Sequence, residues 1–397
     1  MKKLVYLLVI LSVVLSACGA ASTPAATPTS PAAPATPADT PTPAPTSTPL
    51  PTDTPVPSPT PAYPPEGYGP TNFPAGVDPL TGLKVALPAL LDRRPMIVKV
   101  PNLPRNVRPQ WGISLADIVF EYYTEEGTTR LAALFYGNDA SMVGPIRSAR
   151  LFDANIVRGY KAIFAFVGFD LSVGPRFLES EFVDRLVTEA PGAPIKRYEP
   201  NGADFAVVST SDLSAYATKK GIANSRQDLS GMFFNLSEPA GGQPVTQVYV
   251  RYSNAVYNRW DYDPASGKYL RFADTADASI GIQGEQYGQL TDRLTNQPIA
   301  FDNLIVLNVI HDVFKTDSKG DRIYDILLSG SGDAYAFRDG QAYQVKWHRN
   351  DTDVVSLTNP DGSPFAFKPG TTWFEVVSTT ATLAQADQSW RFTQVLP

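Results

Sequence analysis

Two arginines stand three positions apart in the stretch VGPIRSAR, residues 143–150. They follow a Gly-Pro turn, and Ser148 is placed to cap a helix predicted over residues 149–160. The unpaired N–H groups at the start of a helix favour an anion, and arginine donates paired hydrogen bonds to phosphate or carboxylate. Arg147, Ser148 and Arg150 therefore form a candidate anion-binding site.

Further charged residues stand close to this motif in the chain. Arg130 begins the strand that leads into it, and no acidic residue occurs between Arg93 and Asp117. The full set of candidate ligand-binding residues is Arg108, Asp117, Arg130, Arg147, Ser148 and Arg150. Glu125 and Glu126 stand at the tip of a predicted hairpin and are interpreted as solvated surface.

Two interpretations of the arginines in the motif stay open. An arginine at a helix N-terminus opposes the helix dipole unless a negative group lies close to it. That group is either a bound anionic ligand or a carboxylate of the protein itself. In the second case the two arginines form internal ion pairs, with Asp117, Glu121 or Asp153 as partners.

Catalytic and metal-binding patterns are weak. The two histidines, His311 and His348, have no third ligand at a useful spacing and are interpreted as strand residues. Ser148 is not in a G-x-S-x-G motif, and the chain has no Walker motif or dinucleotide-binding glycine motif. No cofactor or metal is expected, no catalytic residue is assigned, and an enzyme is not favoured.

The first residues, MKKLVYLLVILSVVLSAC, have the pattern of a lipoprotein signal peptide over residues 1–18. A short apolar run follows Lys2 and Lys3, and Leu15-Ser16-Ala17-Cys18 resembles a bacterial lipobox. The cysteine of a lipobox is diacylated, and two acyl chains give stable anchoring. The alternatives are an ordinary signal peptide and an uncleaved anchor. We therefore predict an extracytoplasmic protein that is held on the cell membrane by a lipid on Cys18.

A tether rich in proline, threonine, serine and alanine follows over residues 19–65. Residues 21–65 contain 16 of the 37 prolines, and no lysine or arginine occurs between Lys3 and Lys84. Such a composition cannot bury a core and predicts a disordered linker. Loss of Lys2 and Lys3 with the signal peptide changes the formal net charge from −6 to −8, which argues against nucleic acid as a partner.

Two domains are predicted after the tether, which gives an α+β class. Residues 66–236 form an N-terminal α/β domain with a mixed sheet, and residues 246–397 form a C-terminal β-rich domain of short strands. We expect the β-rich domain to contact a protein partner or an envelope polymer. The predicted strands of the first domain are 95–100, 116–124, 129–137, 162–169 and 205–209, and its predicted helices are 149–160, 176–188 and 211–221.

Several stretches resemble the YerB-like lipoproteins, the family described by the paired DUF3048 domains. The similar stretches of the first domain are RRPMIVKV (93–100), RPQWGISLADIVFE (108–121), GTTRLAALF (127–135) and VGPIRSAR (143–150). Those of the second domain are NVIHDV (308–313), GSGDAYAFRDG (330–340) and KPGTTWFEVV (368–377). The resemblance implies a lipoprotein with two domains, and it implies no reaction.

The order of an aspartate, a hairpin and the Ile-Arg-Ser sequence before a helix is also similar to the LytR-CpsA-Psr enzymes. Those enzymes use arginines to hold a polyprenyl pyrophosphate and transfer glycopolymers to the cell wall.

Three hypotheses follow. The first is a binding or scaffolding lipoprotein whose arginines bind an anionic envelope lipid or polymer. The second is an enzyme that acts on phosphate-linked envelope glycopolymers, with Asp117 or Glu121 assisting a metal or acting as a base. The third is a structural assembly factor without a small-ligand site.

Overall fold

The computed structural model describes residues 63–198, 205–316, 318 and 320–397. The predicted signal peptide, Cys18 and the tether up to residue 62 lie outside the described residues. The described part belongs to one compact unit, Pro61–Pro397. None of the helices in this part is long and apolar enough to cross a membrane.

The described residues form three α-helices, several short 3₁₀ helices and 24 strands. The α-helices are α1 (Leu151–Gly159), α2 (Gly174–Leu178) and α3 (Thr210–Lys219). The 3₁₀ helices are Pro88–Asp92, Arg105–Val107, Ile113–Leu115, Val183–Arg185 and Gly281–Gly284. The first strands are β1 (Met96–Pro101), β2 (Ile118–Tyr123), β3 (Thr129–Phe135), β4 (Ile163–Ala165), β5 (Leu186–Val187), β6 (Lys196–Tyr198), β7 (Phe205–Val207), β8 (Phe233–Phe234) and β9 (Gln243–Pro244). The next are β10 (Gln247–Arg251), β11 (Tyr257–Asp263), β12 (Lys268–Asp274), β13 (Tyr287–Gln289), β14 (Ala300–Phe301), β15 (Asn303–Val309), β16 (His311–Thr316) and β17 (Arg322–Ile326). The last are β18 (Gly330–Arg338), β19 (Gln341–Arg349), β20 (Ser356–Thr358), β21 (Ala366–Phe367), β22 (Thr372–Ser378), β23 (Thr382–Ala386) and β24 (Ser389–Thr393).

Eleven strands form one large sheet. Its order is β20-β19-β18-β15-β22-β2-β3-β1-β4-β5, and β9 pairs with β19. At its centre β2 and β22 are parallel neighbours, with Ile118 opposite Thr372 and Tyr122 opposite Val376. Strands from both predicted domains therefore lie side by side in this sheet. The predicted α+β class is confirmed.

The large sheet separates two apolar cores, because successive side chains of a strand point to opposite faces. In β1, Ile97 contacts the core that also contains residues of α1 and α2, while Val98 contacts the core on the other face. Helix α3 and a second sheet pack on that other face. The second sheet has the order β13-β12-β11-β10-β24-β23, with β14 on β12.

The predicted hairpin and two of the three predicted helices are present as β2–β3, α1 and α3. The helix predicted over residues 176–188 is wrong. Helix α2 ends at Leu178, and the Ser180 hydroxyl donates to the Phe177 carbonyl at 2.6 Å, which competes with continued helical bonding. Val187 then pairs with β4 and is buried in the core. Sheet pairing with a distant strand therefore decides the conformation of this segment.

A buried polar network joins the two sheets. Glu121 of β2 lies opposite Glu375 of β22, and both side chains are fully buried. Arg271 of β12 donates to Glu121 Oε2 at 2.6 Å, and Trp260 Nε1 donates to Glu375 Oε1 at 2.8 Å. The Tyr252 hydroxyl lies 2.9 Å from Glu375 Oε2 and 3.0 Å from the Glu121 carbonyl oxygen. Arg271 thus bonds Glu121 directly, and its charge also acts on Glu375.

This network holds a proton at neutral pH. Burial, together with the charge of Glu121, raises the pKa of Glu375 to about 8, although Arg271 opposes the shift. The Tyr252 hydroxyl lies within donating distance of Glu375 Oε2 and of the Glu121 carbonyl oxygen, and its bond to Glu375 opposes the rise of the pKa without cancelling it. With this proton bound, the two carboxyl groups together carry one negative charge, which balances the one positive charge of Arg271.

We expect Glu375→Gln to remove most of the pH dependence of stability that the network causes, because an amide mimics the protonated carboxyl. The folded-state pKa of Glu375 lies above its ordinary value of 4.5. Its stabilisation is therefore complete below that value and is lost as the pH rises through about 8. Between pH 5 and pH 8 the unfolding free energy of the wild type should fall relative to the variant by on the order of 2–4 kcal/mol.

Urea unfolding at several pH values measures this difference. Glu179→Gln changes an exposed carboxylate and is the matched control. Parallel pH profiles for the wild type and Glu375→Gln would contradict the protonated carboxyl.

Candidate functional site

The motif VGPIRSAR lies between β1 and the segment that follows β4. The Arg147 N–H donates to the Lys99 carbonyl at 2.9 Å, and the Arg147 carbonyl accepts from the Val167 N–H at 3.0 Å. The Ala149 N–H donates to the Gly168 carbonyl at 3.0 Å. The backbone of the motif is therefore fixed to two neighbouring segments just before α1 begins.

Helix α1 begins at Leu151, so Arg150 is its N-cap, and the prediction that Ser148 caps it is wrong. Asp153 closes the first turn, because its Oδ2 accepts from the Arg150 N–H at 2.7 Å and its own N–H donates to the Arg150 carbonyl at 2.9 Å. A carboxylate in the first turn also interacts favourably with the helix dipole. Asp153 of the helix is thus a negative group close to its N-terminus, where the sequence had left the identity of such a group open.

Arg150 forms an internal ion pair with Glu125, which follows β2 in the turn of the hairpin. Its Nε donates to Glu125 Oε2 at 2.6 Å, and its Nη2 donates to Oε1 of the same carboxylate. Arg130 donates to the Ser148 carbonyl at 2.6 Å and lies 3.4 Å from Glu125 Oε1. Glu125 is only 22% exposed, so its interpretation as solvated surface is wrong. For Arg150, the internal-pair interpretation is the one that the geometry supports.

A second group of charged side chains is buried next to this pair. Lys99 Nζ lies 3.1 Å from Asp153 Oδ1, and the Tyr122 hydroxyl donates to the same oxygen at 2.6 Å. Lys99 also donates to the Tyr122 hydroxyl. Asp153 therefore connects the two groups, since its other oxygen bonds the backbone of Arg150.

Burial is the main cause of the lowered pKa values of the cations in this region, and the neighbouring charges add smaller effects. Burial, with added effects from the charges of Arg130 and Arg150, lowers the pKa of Lys99 to about 7, although Asp153 opposes the shift. Burial and the charge of Arg150 likewise lower the pKa of Arg130 to about 10. Burial opposes ionisation of Glu125, but the hydrogen bond and charge of Arg150 lower its pKa below the ordinary value. Burial also opposes the charge of Arg150, but the hydrogen bond and charge of Glu125 raise its pKa above the ordinary value. The Arg150–Glu125 pair therefore stabilises the charged form of both groups.

Arg147 differs from its neighbours in the motif. Its side chain is exposed, and its guanidinium makes no hydrogen bond or ion pair with any of the described residues. The Ser148 hydroxyl also has no hydrogen-bond partner among them. Arg147 is thus available to an external ligand, whereas Arg130 and Arg150 are already bonded within the protein.

Two of the predicted site residues lie elsewhere. Arg108 binds the carboxylate of Asp274 in β12 with bonds of 2.7 and 3.2 Å and is buried. Asp117 stands at the end of β2 opposite to Glu125, and its Oδ2 accepts from the N–H of Gly137 at 3.0 Å. Burial raises the pKa of Asp117 to about 6. The structure therefore brings Arg130, the Ser148 carbonyl and Arg150 together around Glu125, with Arg147 next to them in the chain, but not Arg108 or Asp117.

Sequence reasoning did not include Lys99, Tyr122, Glu125 or Asp153 among the site residues. One signal was present for Lys99, because it is the only charged residue in the strand sequence MIVKVP. A lysine in an apolar strand indicates either an edge position or a buried partner. Its partner Asp153 is 54 positions away in the chain, so local patterns gave no indication of the pair.

The histidines and clefts lie outside this site. His311 bonds the Val309 carbonyl and His348 bonds Thr358, each at 2.8 Å, and burial lowers the pKa of His311 to about 4. No group of three or more possible metal ligands occurs in the described ranges. Two clefts of about 540 and 510 Å³ are lined by residues of 235–243 and 335–390 and contain no arginine. The candidate anion site is therefore an exposed surface position and not one of these cavities.

Comparison with known proteins places these observations in a family. The family model for the N-terminal domain of DUF3048, a protein of unknown function, matches residues 80–223, and the model for its C-terminal domain matches residues 248–374. "Putative lipoprotein YerB" of Bacillus subtilis (strain 168) is 29% identical over 308 residues, which cover 75% of this chain and 85% of that protein. The crystal structure of YerB protein from Bacillus subtilis matches with a TM-score of 0.62 and 28% identity over 76% of this chain and 96% of that chain. The resemblance to YerB-like lipoproteins is confirmed.

Substitution of the two motif arginines should separate their structural contributions. We expect Arg150→Ala to lower the unfolding free energy by about 1–3 kcal/mol, because it leaves the largely buried Glu125 without its main partner. Arg147→Ala should change the unfolding free energy by less than about 0.5 kcal/mol, because the exposed side chain has no internal partner to lose. Denaturant unfolding of both variants measures this, and equal losses in the two would contradict the assignment.

Proposed function

The chain belongs to the DUF3048 family, and we propose that it is a membrane-anchored envelope lipoprotein that binds the phosphate of an anionic lipid or polymer. The exposed guanidinium of Arg147, without a partner among the described residues, carries this proposal. Arg147 stands four positions before Leu151, the first residue of α1. Binding at this position gives the protein a scaffolding role between the membrane and an envelope component.

The N-terminal sequence supports the location. Cys18 ends a lipobox-like sequence, and the relative from Bacillus subtilis is named as a lipoprotein. The tether predicted over residues 19–65 reaches roughly 140 Å at most when extended. The folded part therefore finds its ligand on or near the membrane to which it is anchored.

The charge of the site supports phosphate as the ligand. Three cationic side chains, Lys99, Arg130 and Arg150, pair with two carboxylates, Glu125 and Asp153. Arg147 adds a fourth cation three positions before Arg150 in the same motif. A phosphate offers several acceptor oxygens to a guanidinium and would offset the excess positive charge. The short bonds of Arg130 and Arg150 hold the backbone and the carboxylates in place. Such a fixed environment reduces the cost of ordering on binding.

The enzymatic alternative lacks a comparable observation. Glu121 is fully buried and bonds Arg271, Asn102 and Thr129. Asp117 is bonded to backbone N–H groups at the far end of β2. Neither of the carboxylates that this alternative would use as a base or a metal ligand lies beside Arg147.

We expect Arg147→Ala to weaken binding of pyrophosphate by roughly 10- to 150-fold, which corresponds to about 1.5–3 kcal/mol for a charge-assisted contact. Isothermal titration calorimetry on the chain without its signal peptide measures the affinity. Arg226→Ala is the control, because it removes an exposed arginine that pairs with Asp92 outside the site. Wild-type protein that does not bind pyrophosphate, or an unchanged affinity in Arg147→Ala, would refute the proposal.

Anion binding should also depend on pH through Lys99. A bound anion favours the charged form of Lys99, so binding above the free-state pKa of about 7 takes up a proton, and affinity falls as the pH rises. With sulfate, whose charge is constant in this range, we expect a loss of roughly three- to tenfold between pH 6 and pH 8. His348→Gln is the control for histidine titration. An affinity that is constant from pH 6 to pH 8 would show that Lys99 does not respond to the anion.

A further inference from the structure

Four large apolar side chains are exposed on the elements around the arginine site. They are Leu171, Leu178, Val313 and Phe314, which are 91%, 58%, 43% and 45% exposed. We call these four residues the apolar rim. Single exposed apolar residues are common on protein surfaces, so their meaning depends on whether they are grouped.

Hydrogen bonds and charges connect the elements that carry the rim. The segment that contains Leu171 begins at Val167 and Gly168, whose backbones bond the motif. Hydrogen bonds from Ser172 lower the pKa of Asp170, and the charges of Lys315 and Arg150 lower it further. Asp170 therefore lies near a cation of the motif and near one of β16.

Helix α2 and the hairpin β16–β17 are also joined directly. Arg176 of α2 donates to Asp325 of β17 at 2.6 Å. Tyr324 of β17 packs edge-on against Tyr123 of β2, with ring centroids 5.7 Å apart. The loop after β4, α2 and this hairpin thus form one neighbourhood around the end of β2, where the arginine site lies.

The hairpin presents β16 to solvent. β16 and β17 form a two-stranded sheet of their own, and five of the six residues of β16 are exposed. The register shifts between Val313 and Lys315, so Phe314 is the extra residue of a β-bulge. Tyr324 and Ile326 of β17 belong to the core. The inner strand therefore holds the hairpin in place, while the outer strand exposes apolar side chains that add nothing to the core.

Two cations accompany the rim. The side chains of Arg147 and Lys315 make no hydrogen bond with any residue that the structure describes. Exposed apolar side chains next to unpaired cations are typical of surfaces that lie in a membrane interface, where the cations meet lipid phosphates and the apolar groups enter the acyl region.

We propose that this surface docks on an anionic membrane, with a phospholipid phosphate bound at Arg147 and the apolar rim inserted beside it. The inference rests on the proposed anion site and names its ligand as a membrane phospholipid. The predicted lipid on Cys18 fits this arrangement, because a tethered domain meets the same membrane at a high effective concentration. The folded part then lies against the bilayer instead of extending away from it.

Vesicle flotation tests this proposal with residues 1–17 removed and Cys18 replaced by serine, so that no lipid anchor contributes. We expect binding to phosphatidylglycerol vesicles to be at least tenfold tighter than binding to phosphatidylcholine vesicles. The double variant Leu171→Glu/Phe314→Glu should lose at least tenfold in vesicle binding and keep its pyrophosphate affinity. Arg147→Ala should lose both. Leu236→Glu, which changes an exposed leucine outside the rim, should lose neither.

The outcomes distinguish the two proposals. Absence of vesicle binding, or full binding by the double variant, overturns membrane docking, while the proposed anion site stands if pyrophosphate still binds. Pyrophosphate should compete with the vesicles, and a failure to compete shows that the lipid phosphate is not at Arg147. An equal loss of vesicle binding in Leu236→Glu also overturns the proposal, because the binding would then not be specific to the apolar rim.

A labelling experiment covers the case in which the double variant does not fold. In the chain with Cys18→Ser, the substitution Leu171→Cys provides the only thiol, which is labelled with an environment-sensitive fluorophore. Its emission should shift to the blue with phosphatidylglycerol vesicles and remain unchanged with phosphatidylcholine. No shift with the anionic vesicles overturns insertion of the rim.

Discussion

The parallel pairing of β2 with β22 places two carboxyl groups side by side in the interior, and much of the molecule is arranged to satisfy them. Glu121 is bonded by the buried guanidinium of Arg271, and Glu375 is bonded by Trp260, both from the second sheet. An unpaired buried charge costs several kcal/mol, so loss of any one donor is expensive. The second sheet is therefore held against the large sheet by polar bonds with specific geometry as well as by apolar contact. The segments that match the two DUF3048 models meet in this network.

The register of β2 links this network to the arginine site on the other face of the sheet. Successive residues of a strand point to opposite faces, so Glu121 points into the network while Tyr122 bonds Asp153 beneath α1. With this register β2 ends shortly before Glu125, and the Glu125 carboxylate lies beside Arg150. A shift of one residue would exchange the two faces and disrupt both groups at once. The geometry around the motif is thus fixed in part by bonds to strands of the C-terminal half.

The parts of this arrangement that local sequence patterns could predict are those that local forces determine. The alternation in β2 and β3, the turn between them and the apolar spacing in α1 and α3 are all local, and these elements lie where they were predicted. The segment after Leu178 was predicted as a helix, because its pairing with β4 has no local sign. The same reason explains the missed contacts, since Glu125 and Arg150 are 25 positions apart and Glu121 and Arg271 are 150 apart. Composition and periodicity do not contain such pairings.

The two arginines of the motif differ in whether their side chains are paired within the described part of the protein. Arg150 is held by Glu125, and together with Arg130 it contributes to the potential that lowers the pKa of Lys99. Arg147, three positions earlier, has its backbone fixed between β1 and the segment after β4 but leaves its guanidinium exposed. In the proposed anion site, the paired arginine would belong to the rigid surroundings and the unpaired one would supply the contact. An anion bound at Arg147, as proposed, would meet neighbouring side chains that are already ordered in the free protein, so little of the binding free energy would be spent on ordering the site. The net charge of the protein is negative and repels an anionic partner. Only a fixed local excess of cations can make the potential positive on part of such a surface, so an anion site in this protein needs local order.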